Sequence, residues 1–259
     1  MITILSPAKK LTKECTAITS NYVLPRFLDQ SEELIRDLKT MNPNDISLLM
    51  GISDKLALIN WERIQNWDKR FKPETSMEAV YQFLGDTYTG LDAESLSERD
   101  IEFAQDNTRI LSGLYGVLRP LDIMMPYRLE MGTKLKNKAG NTLYDYWDDS
   151  LAKSLNDDLT GHKENVVINC ASVEYFKVIN NETLKADIIT PHFKELRNGK
   201  LKIISFYAKR ARGMMARFII QNKIQDKNDI LAFNLGGYSY DPAISTPLGP
   251  VFTRDQSLN

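Results

Sequence analysis

The 259 residues include 33 basic and 34 acidic side chains, for a net charge of -1, with 42% apolar and 26% charged residues and an isoelectric point near 6.2. Such a chain can bury a substantial core, and the composition excludes a disordered, collagen-like or coiled-coil protein. Near-neutrality removes any global attraction for polyanions or anionic membranes, so a nucleic-acid site has to be a local patch.

The opening MITILSPAKK reads as a strand, Ile2 to Leu5, and a polar loop, not as a secretory leader. No run approaches the roughly 18 apolar residues that span a bilayer, and a cytoplasmic protein with no membrane partner is predicted. Apolar residues at three-and-four spacing predict helices at Phe27 to Leu38, at Asn44 to Met50 behind Pro43, and from the cap Ser53-Asp54 through Trp67. Ala79 to Phe83 is predicted as a strand. From Asp86 to Asp106 seven acids stand against Arg99 alone, the pattern of a mostly solvated face. Within it Ser97, with Asp100 three residues on, predicts a helix start, and that helix is expected to run to about Leu111 and stop at Ser112-Gly113. A helix from Leu143 to Leu155 follows. Strands are then predicted at Asn165 to Ala171, Ala186 to Pro191 and Lys202 to Ser205, the last beyond the turn Arg197-Asn198-Gly199. One long helix at about 206–222 interrupts them. The tail, with Gly236-Gly237, Pro242, Pro247 and Pro250, reads as irregular chain with a last strand at Pro250 to Thr253. Neither a repeat nor a linker divides the chain, so the predicted fold is α+β, a single compact domain over residues 1–259 with a mixed sheet and surrounding helices.

Cys15 and Cys170 are the only cysteines and are read as reduced thiols. Cys170 ends the apolar run VVINC and is expected to be buried; neither thiol is expected to sense peroxide. His162 and His192 stand in no metal-ligand spacing with cysteine or carboxylate, so neither a metal site nor a cofactor is predicted.

Three constellations carry chemistry. On a helical wheel of residues 206–223, Tyr207, Ala208, Ala211, Met214, Met215, Phe218 and Ile219 share one arc. Lys209, Arg210, Arg212, Arg217 and Lys223 share the other, with Gly213 and Ala216 between them. From Lys200 to Lys223 there are seven cations and no anion. The stripe is either a solvated face or a polyanion site, and Gly213, which costs a helix roughly 1 kcal/mol relative to alanine, lets another backbone or a phosphate approach closely. Second, Gly113-Leu114-Tyr115-Gly116, with Arg119 and Pro120-Leu121-Asp122 after it, has the outline of a helix-hairpin-helix turn binding a phosphate through backbone N–H groups. It carries two residues between its glycines where the common form has one, and a plain turn between helices is the other reading. Third, polar residues follow predicted strand ends: Ser6, Lys9 and Lys10; Asn169, Ser172, Glu174, Tyr175 and Lys177; Tyr207 and Lys209. If those ends converge they make a site for acid-base work on a phosphorylated or carbonyl substrate; otherwise each is a cap or a surface charge.

The blocks LSPAKKL, ISDKLALIN, GDTYTGL, LSGLYGVLRPLDIMMPYRLEMG, NCASVEYFK and ISFYAKRARGMMARFI resemble the bacterial YaaA family of peroxide-stress proteins over Met1 to about Tyr240, while the tail from Asp241 resembles it less. The resemblance implies a cytosolic protein that limits intracellular iron and DNA damage under peroxide. It also implies a family-specific single-domain fold with a helix-hairpin-helix element for duplex DNA, placed on Gly113 to Arg119. The leading expectation is therefore duplex DNA bound mainly through phosphates by Gly113, Leu114, Tyr115, Gly116, Arg119, Lys209, Arg210, Arg212 and Arg217. The rival is an enzyme acting on a small anionic, nucleotide-like substrate among Lys9, Asn169, Ser172, Glu174, Tyr175 and Lys209.

Overall fold

Isoleucines at 2 and 4, with Leu5, leave no polar face on the first strand, and a strand of that kind belongs between two others with both faces covered. The computed structural model, which describes residues 1–12, 18–19 and 22–255, places it there. In chain order the strands are β1 (Ile2–Leu5), β2 (Lys10–Leu11), β3 (Met77–Glu78), β4 (Phe83–Leu84), β5 (Thr108–Ser112), β6 (Gly116–Leu118), β7 (Ile123–Met124), β8 (Val166–Cys170), β9 (Asp187–Ile189), β10 (His192–Arg197), β11 (Lys200–Lys202), β12 (Ser239–Tyr240) and β13 (Val251–Asp255). The helices are α1 (Leu28–Lys39), α2 (Pro43–Met50), α3 (Asp54–Asn66), α4 (Ala79–Gln82), α5 (Asp86–Leu91), α6 (Glu98–Asn107), α7 (Leu143–Trp147), α8 (Ser150–Leu159), α9 (Val173–Phe176) and α10 (Ser205–Gln221). The fold is α+β, as the sequence predicts.

The main sheet runs β6-β5-β1-β8-β9. β1 pairs in parallel with β5 (Thr3 opposite Thr108) and with β8 (Thr3 opposite Ile168), β9 extends the parallel set, and β6 turns back antiparallel at the edge. Every residue of β1, β5 and β8 is buried. The second sheet, β11-β10-β13-β12, is stitched by rings: Phe193 stacks on Phe252 at 5.6 Å, and Phe233 meets Phe252 edge-on at 5.4 Å. α10 lies between the sheets, touching β1 and β8 on one side and β10 on the other, and it packs most extensively on α5.

Local chemistry sets the helix starts. Asn42 accepts from the N–H groups of Asn44 and Asp45 while Asp45 bonds back to the Asn42 N–H, a reciprocal cap with Pro43 at the first position. Ser97 and Asp100 form the same box at α6, as predicted. Four expectations change. The strand expected at Lys202 to Ser205 is β11 at Lys200–Lys202, and Ser205 already opens α10. The helix foreseen to Leu111 ends at Asn107, because Thr108–Ser112 is a strand beside β1. Ala79–Gln82 is a helical turn and only Phe83–Leu84 is extended. The helix expected from Leu143 to Leu155 is two, broken at Asp148, whose φ is 39°.

Candidate functional site

The parallel strands β1, β5 and β8 end on one side of the main sheet, and ligand sites in such sheets favour that side. Ser6, just past β1, accepts a hydrogen bond from the Ser172 N–H at 2.8 Å, and the two hydroxyls lie 3.4 Å apart. The buried Tyr88 hydroxyl donates to the Ser6 carbonyl at 3.0 Å. Lys9 stands 2.6 Å from one oxygen of Glu130, whose other oxygen takes Arg128 at 2.9 Å. Glu174 accepts from the Gly132 N–H at 3.1 Å. Tyr175 is buried, and burial raises its phenol pKa, with Tyr127, Glu174 and Glu130 adding to the shift. The structure thus brings Ser6, Lys9, Ser172, Glu174 and Tyr175 together. Asn169 sits at the same end with its amide already engaged: its Oδ1 accepts from the Ala171 N–H at 3.0 Å and its Nδ2 donates to the Thr190 hydroxyl. Lys209 is exposed on α10 and forms no hydrogen bond or ion pair with the group among the described residues.

A cavity of about 800 Å³ opens beside these strand ends; Glu130, Gly132, Thr133, Lys134 and Glu174 form one wall, and Leu48, Met50 and Gly51 form the other. The second wall is the junction of α2 and α3. Gly51 ends α2 in the left-handed region (φ 60°, ψ 46°), with its N–H on the Ser47 carbonyl, and Ile52 donates to the same oxygen. Ser53 then starts α3 without a side-chain cap, and the first intrahelical bond runs from the Ala57 N–H to the Ser53 carbonyl. The N–H groups of Asp54, Lys55 and Leu56 therefore point out along the helix axis, where helix dipole and open donors favour an anion. α2 and α3 pack together, so Met50-Gly51-Ile52-Ser53 is a tight turn between two helices.

The turn at Gly113 to Gly116 is of another kind. It is the loop of the β5–β6 hairpin, fully buried. The Tyr115 N–H is taken by Ser112 Oγ at 2.8 Å, Trp147 Nε1 donates to the Gly113 carbonyl at 3.0 Å, and Ser31 donates to the Leu114 carbonyl at 2.9 Å. A Cβ on Gly113 would stand 2.2 Å from the Leu129 carbonyl oxygen. Strands and not helices flank this turn, so the expectation of a helix-hairpin-helix at Gly113, Leu114, Tyr115, Gly116 and Arg119 is corrected. Arg119 itself is tied to Asp122 at 2.8 Å and to the Leu24 carbonyl.

The basic stripe on α10 divides. Arg217 donates to the Leu91 and Asp92 carbonyls at 2.9 and 2.7 Å and pairs with the Asp92 carboxylate at 3.5 Å. Lys223 pairs with Asp100, whose pKa falls to about 2 through hydrogen bonds from Lys223 and Ser97. Gly213 is where the α5 backbone comes in: a Cβ there would be 1.8 Å from the Thr87 carbonyl oxygen, and a Cβ on Gly90 would be 2.0 Å from that of Arg210. Arg212 is half-buried near Cys170 and His192. Lys209 and Arg210 stay exposed.

The sequence matches the family described as peroxide stress protein YaaA over residues 1–244. This chain belongs to that family. It is also similar to two UPF0246 proteins of Aliivibrio fischeri, 50% identical in strain ES114 and 49% in strain MJ11, each over 256 residues covering 99% of both chains.

Cys170 is buried, and burial lifts its thiol to about 12 against a smaller opposing pull from Arg212, so the nucleophilic thiolate is scarce at neutral pH. Cys15 lies outside the described residues. Among the described residues no group of three His, Cys, Asp or Glu side chains is placed to hold a metal ion, and no helix is long and apolar enough to cross a membrane. Sequence reasoning predicted both helices but did not single out the α2–α3 turn as a candidate. The available signal was a single glycine between two periodic runs, followed by a cap residue three positions before Leu56.

Proposed function

We propose that this protein binds duplex DNA in the cytoplasm through phosphate contacts at the α2–α3 turn, and that this binding limits oxidative DNA damage during peroxide stress. The observation that carries the reading is the turn itself: Gly51 in the left-handed region, an uncapped Ser53, and three outward N–H groups at the start of α3. Lys55 in the first turn of α3 and Lys134 on the opposite cavity wall are exposed and supply positive charge beside those donors. Such contacts position a duplex without reading bases, so binding is independent of sequence. The family description, a peroxide stress protein, supports a protective role, and an influence on intracellular iron follows indirectly from this role.

The test is fluorescence anisotropy with a blunt duplex. Gly51→Val forces a β-branched residue into a left-handed backbone and displaces the donors without removing a charge. The variant is expected to melt as a folded protein and to lose about tenfold in affinity, the scale of one charge-assisted contact to phosphate, with its salt slope unchanged. Lys134→Ala is expected to lower the slope by about 0.9. Full affinity in folded Gly51→Val would remove the reading.

A second reading rests on Ser6, Lys9, Ser172, Glu130 and Glu174 gathering by the same cavity: an enzyme acting on a small anionic, nucleotide-like substrate. A thermal-shift panel of metabolites separates the two, since a ligand at 100 times its dissociation constant stabilises a protein by about 2.7 kcal/mol.

A further inference from the structure

Arg212 occupies a place on α10 where an apolar residue belongs. One turn before it stands Ala208 and one turn after it stand Met215 and Ala216, and all three are buried. Its guanidinium is half-buried and acts on Cys170 at the end of β8 and on His192 at the start of β10. It forms no hydrogen bond or ion pair among the described residues. Lys194, two residues past His192 and on the same face of β10, is half-buried and equally unpaired among them. The acids around this pair are engaged elsewhere. Glu195 faces the other side of β10, bound to Arg254 and Tyr238, and Asp241 accepts from the Ala243 N–H at 3.1 Å. Asp255 stands opposite Leu196 at the far end of the same sheet, and Asp187 pairs with Lys227 at the opposite end of β9. Beyond β8, Glu130 holds Lys9 and Arg128, and Glu174 takes the Gly132 N–H.

An unpaired guanidinium in a buried row costs stability, which points to an opposite charge supplied from outside the chain. The sheet topology places such a ligand. From β1 the chain passes to β5 on one side, whereas from β8 it passes to β9 on the other, so the crevice in which open parallel sheets take small ligands lies at the carboxyl ends of β1 and β8. Ser6 and Ser172 mark it, with hydroxyls 3.4 Å apart, and beside them Asn169 donates to the Thr190 hydroxyl at 3.3 Å. Cys170 ends β8 at this place, so Arg212 reaches it from α10 and His192 from β10. A guanidinium is a planar fork matched to phosphate and carboxylate oxygens, and a half-buried one suits a group that arrives end-on, not a phosphate with chain on both sides. We propose that this crevice binds the terminal phosphate or carboxylate of a small molecule, with Arg212 forking onto two of its oxygens and His192 and Lys194 donating beside it. The proposal rests on the small-ligand reading above and gives that ligand its anion anchor.

The experiment titrates the full chain with inorganic phosphate and, separately, with acetate, at an ionic strength held constant by chloride, so that a phosphate ligand is told from a carboxylate one. One of the two probes is expected to bind with a dissociation constant of about 1 mM, the scale of a fragment of a few atoms, and to move the ring resonances of His192 in NMR. Arg212→Met and Arg212→Lys should each weaken that binding about tenfold or more, the first by removing the charge and the second by removing the fork. Both should bind a blunt duplex as the parent does. In chloride alone Arg212→Met should melt no lower than the parent, since an apolar chain replaces an unpaired charge in a buried row. Failure of both probes to bind overturns the proposal, as does binding that survives Arg212→Met. A lower melting temperature for Arg212→Met would give the arginine a structural role, and weaker duplex binding would assign it to a polymer surface; either result also overturns the proposal. The metabolite panel keeps the two readings apart. A hit that Arg212→Met does not weaken supports the enzyme and removes this anchor, whereas probe binding at Arg212 without a hit supports the anchor and removes the enzyme.

Discussion

Arg210 and Arg217 lie two turns apart on one helix and have different roles. Arg217 reaches the carbonyls at the end of α5 and closes the junction between α10 and the acidic segment, whereas Arg210 presents its guanidinium to solvent beside exposed lysines. Past Gly213, where the α5 backbone crosses, Arg217 and Lys223 neutralise Asp92 and Asp100; before it, Lys209 and Arg210 neutralise no described carboxylate. A run of like charge in a sequence therefore divides at the point where another chain segment packs against it, and only the part left over is available to a ligand.

The strongest way to break this division is at the crossing. Gly213→Ala puts a methyl group 1.8 Å from a carbonyl oxygen, so α10 and α5 must separate; the expected loss is about 3 kcal/mol or more, read by urea denaturation. A small loss would mean that the two helices are not locked there. Arg217→Ala comes next, at about 1 kcal/mol, because a part-buried carbonyl at Leu91 and an exposed one at Asp92 lose a charged donor, and its salt dependence of DNA binding should match the parent. If Arg217→Ala instead altered that dependence, its side chain would belong to the binding half and the division would fail. Lys209→Ala with Arg210→Ala is the mirror case: under 0.5 kcal/mol in stability, but a salt slope lower by about 0.9 for each phosphate that the variant no longer neutralises.

The smallest effect is in acid. Asp100 is held at about 2 instead of the usual 3.8 by its hydrogen bonds to Lys223 and Ser97. A carboxylate depressed in the folded state adds stability above its unfolded value and loses it as pH falls through the folded one. The stability gap between the parent and Asp100→Asn should be constant above about pH 5 and narrow between about pH 4 and pH 2. A gap that stays constant down to pH 2 would mean that the pair contributes nothing.

Much of the fold was legible because short periodic signals were locally consistent: β1, β8, α2, α3 and α10 lie within a residue or two of their predicted places. What was missed shares a cause. The stretch 108–118 carries an apolar run flanked by glycines, and periodicity alone does not separate a buried strand from a buried helix; β1 beside it decides the matter. The same ambiguity placed the helix-hairpin-helix expectation on a buried β-hairpin. At the site, Ser6 with Ser172 could be anticipated from strand ends, but Glu130 and Arg128 could not, since the coil that carries them past Lys9 has no sequence pattern of its own. The split of the α10 stripe was equally hidden, because nothing along the chain says that Asp92 and Asp100 fold onto Arg217 and Lys223.

β1, the middle strand of its sheet, is made before either of the strands that flank it. Its neighbours arrive at residues 108–112 and 166–170, so at roughly 5 to 20 residues per second a nascent chain carries Ile2–Leu5 with both edges open until β5 is made and with one edge open until β8 follows, about 10 to 30 s after Ile2–Leu5 itself. Until then the segment is an adhesive edge for other growing chains, and a ribosome that stalls before Val166 releases a product that cannot close its own core. For a member of a peroxide-stress family, the order in which its strands are made becomes part of its vulnerability.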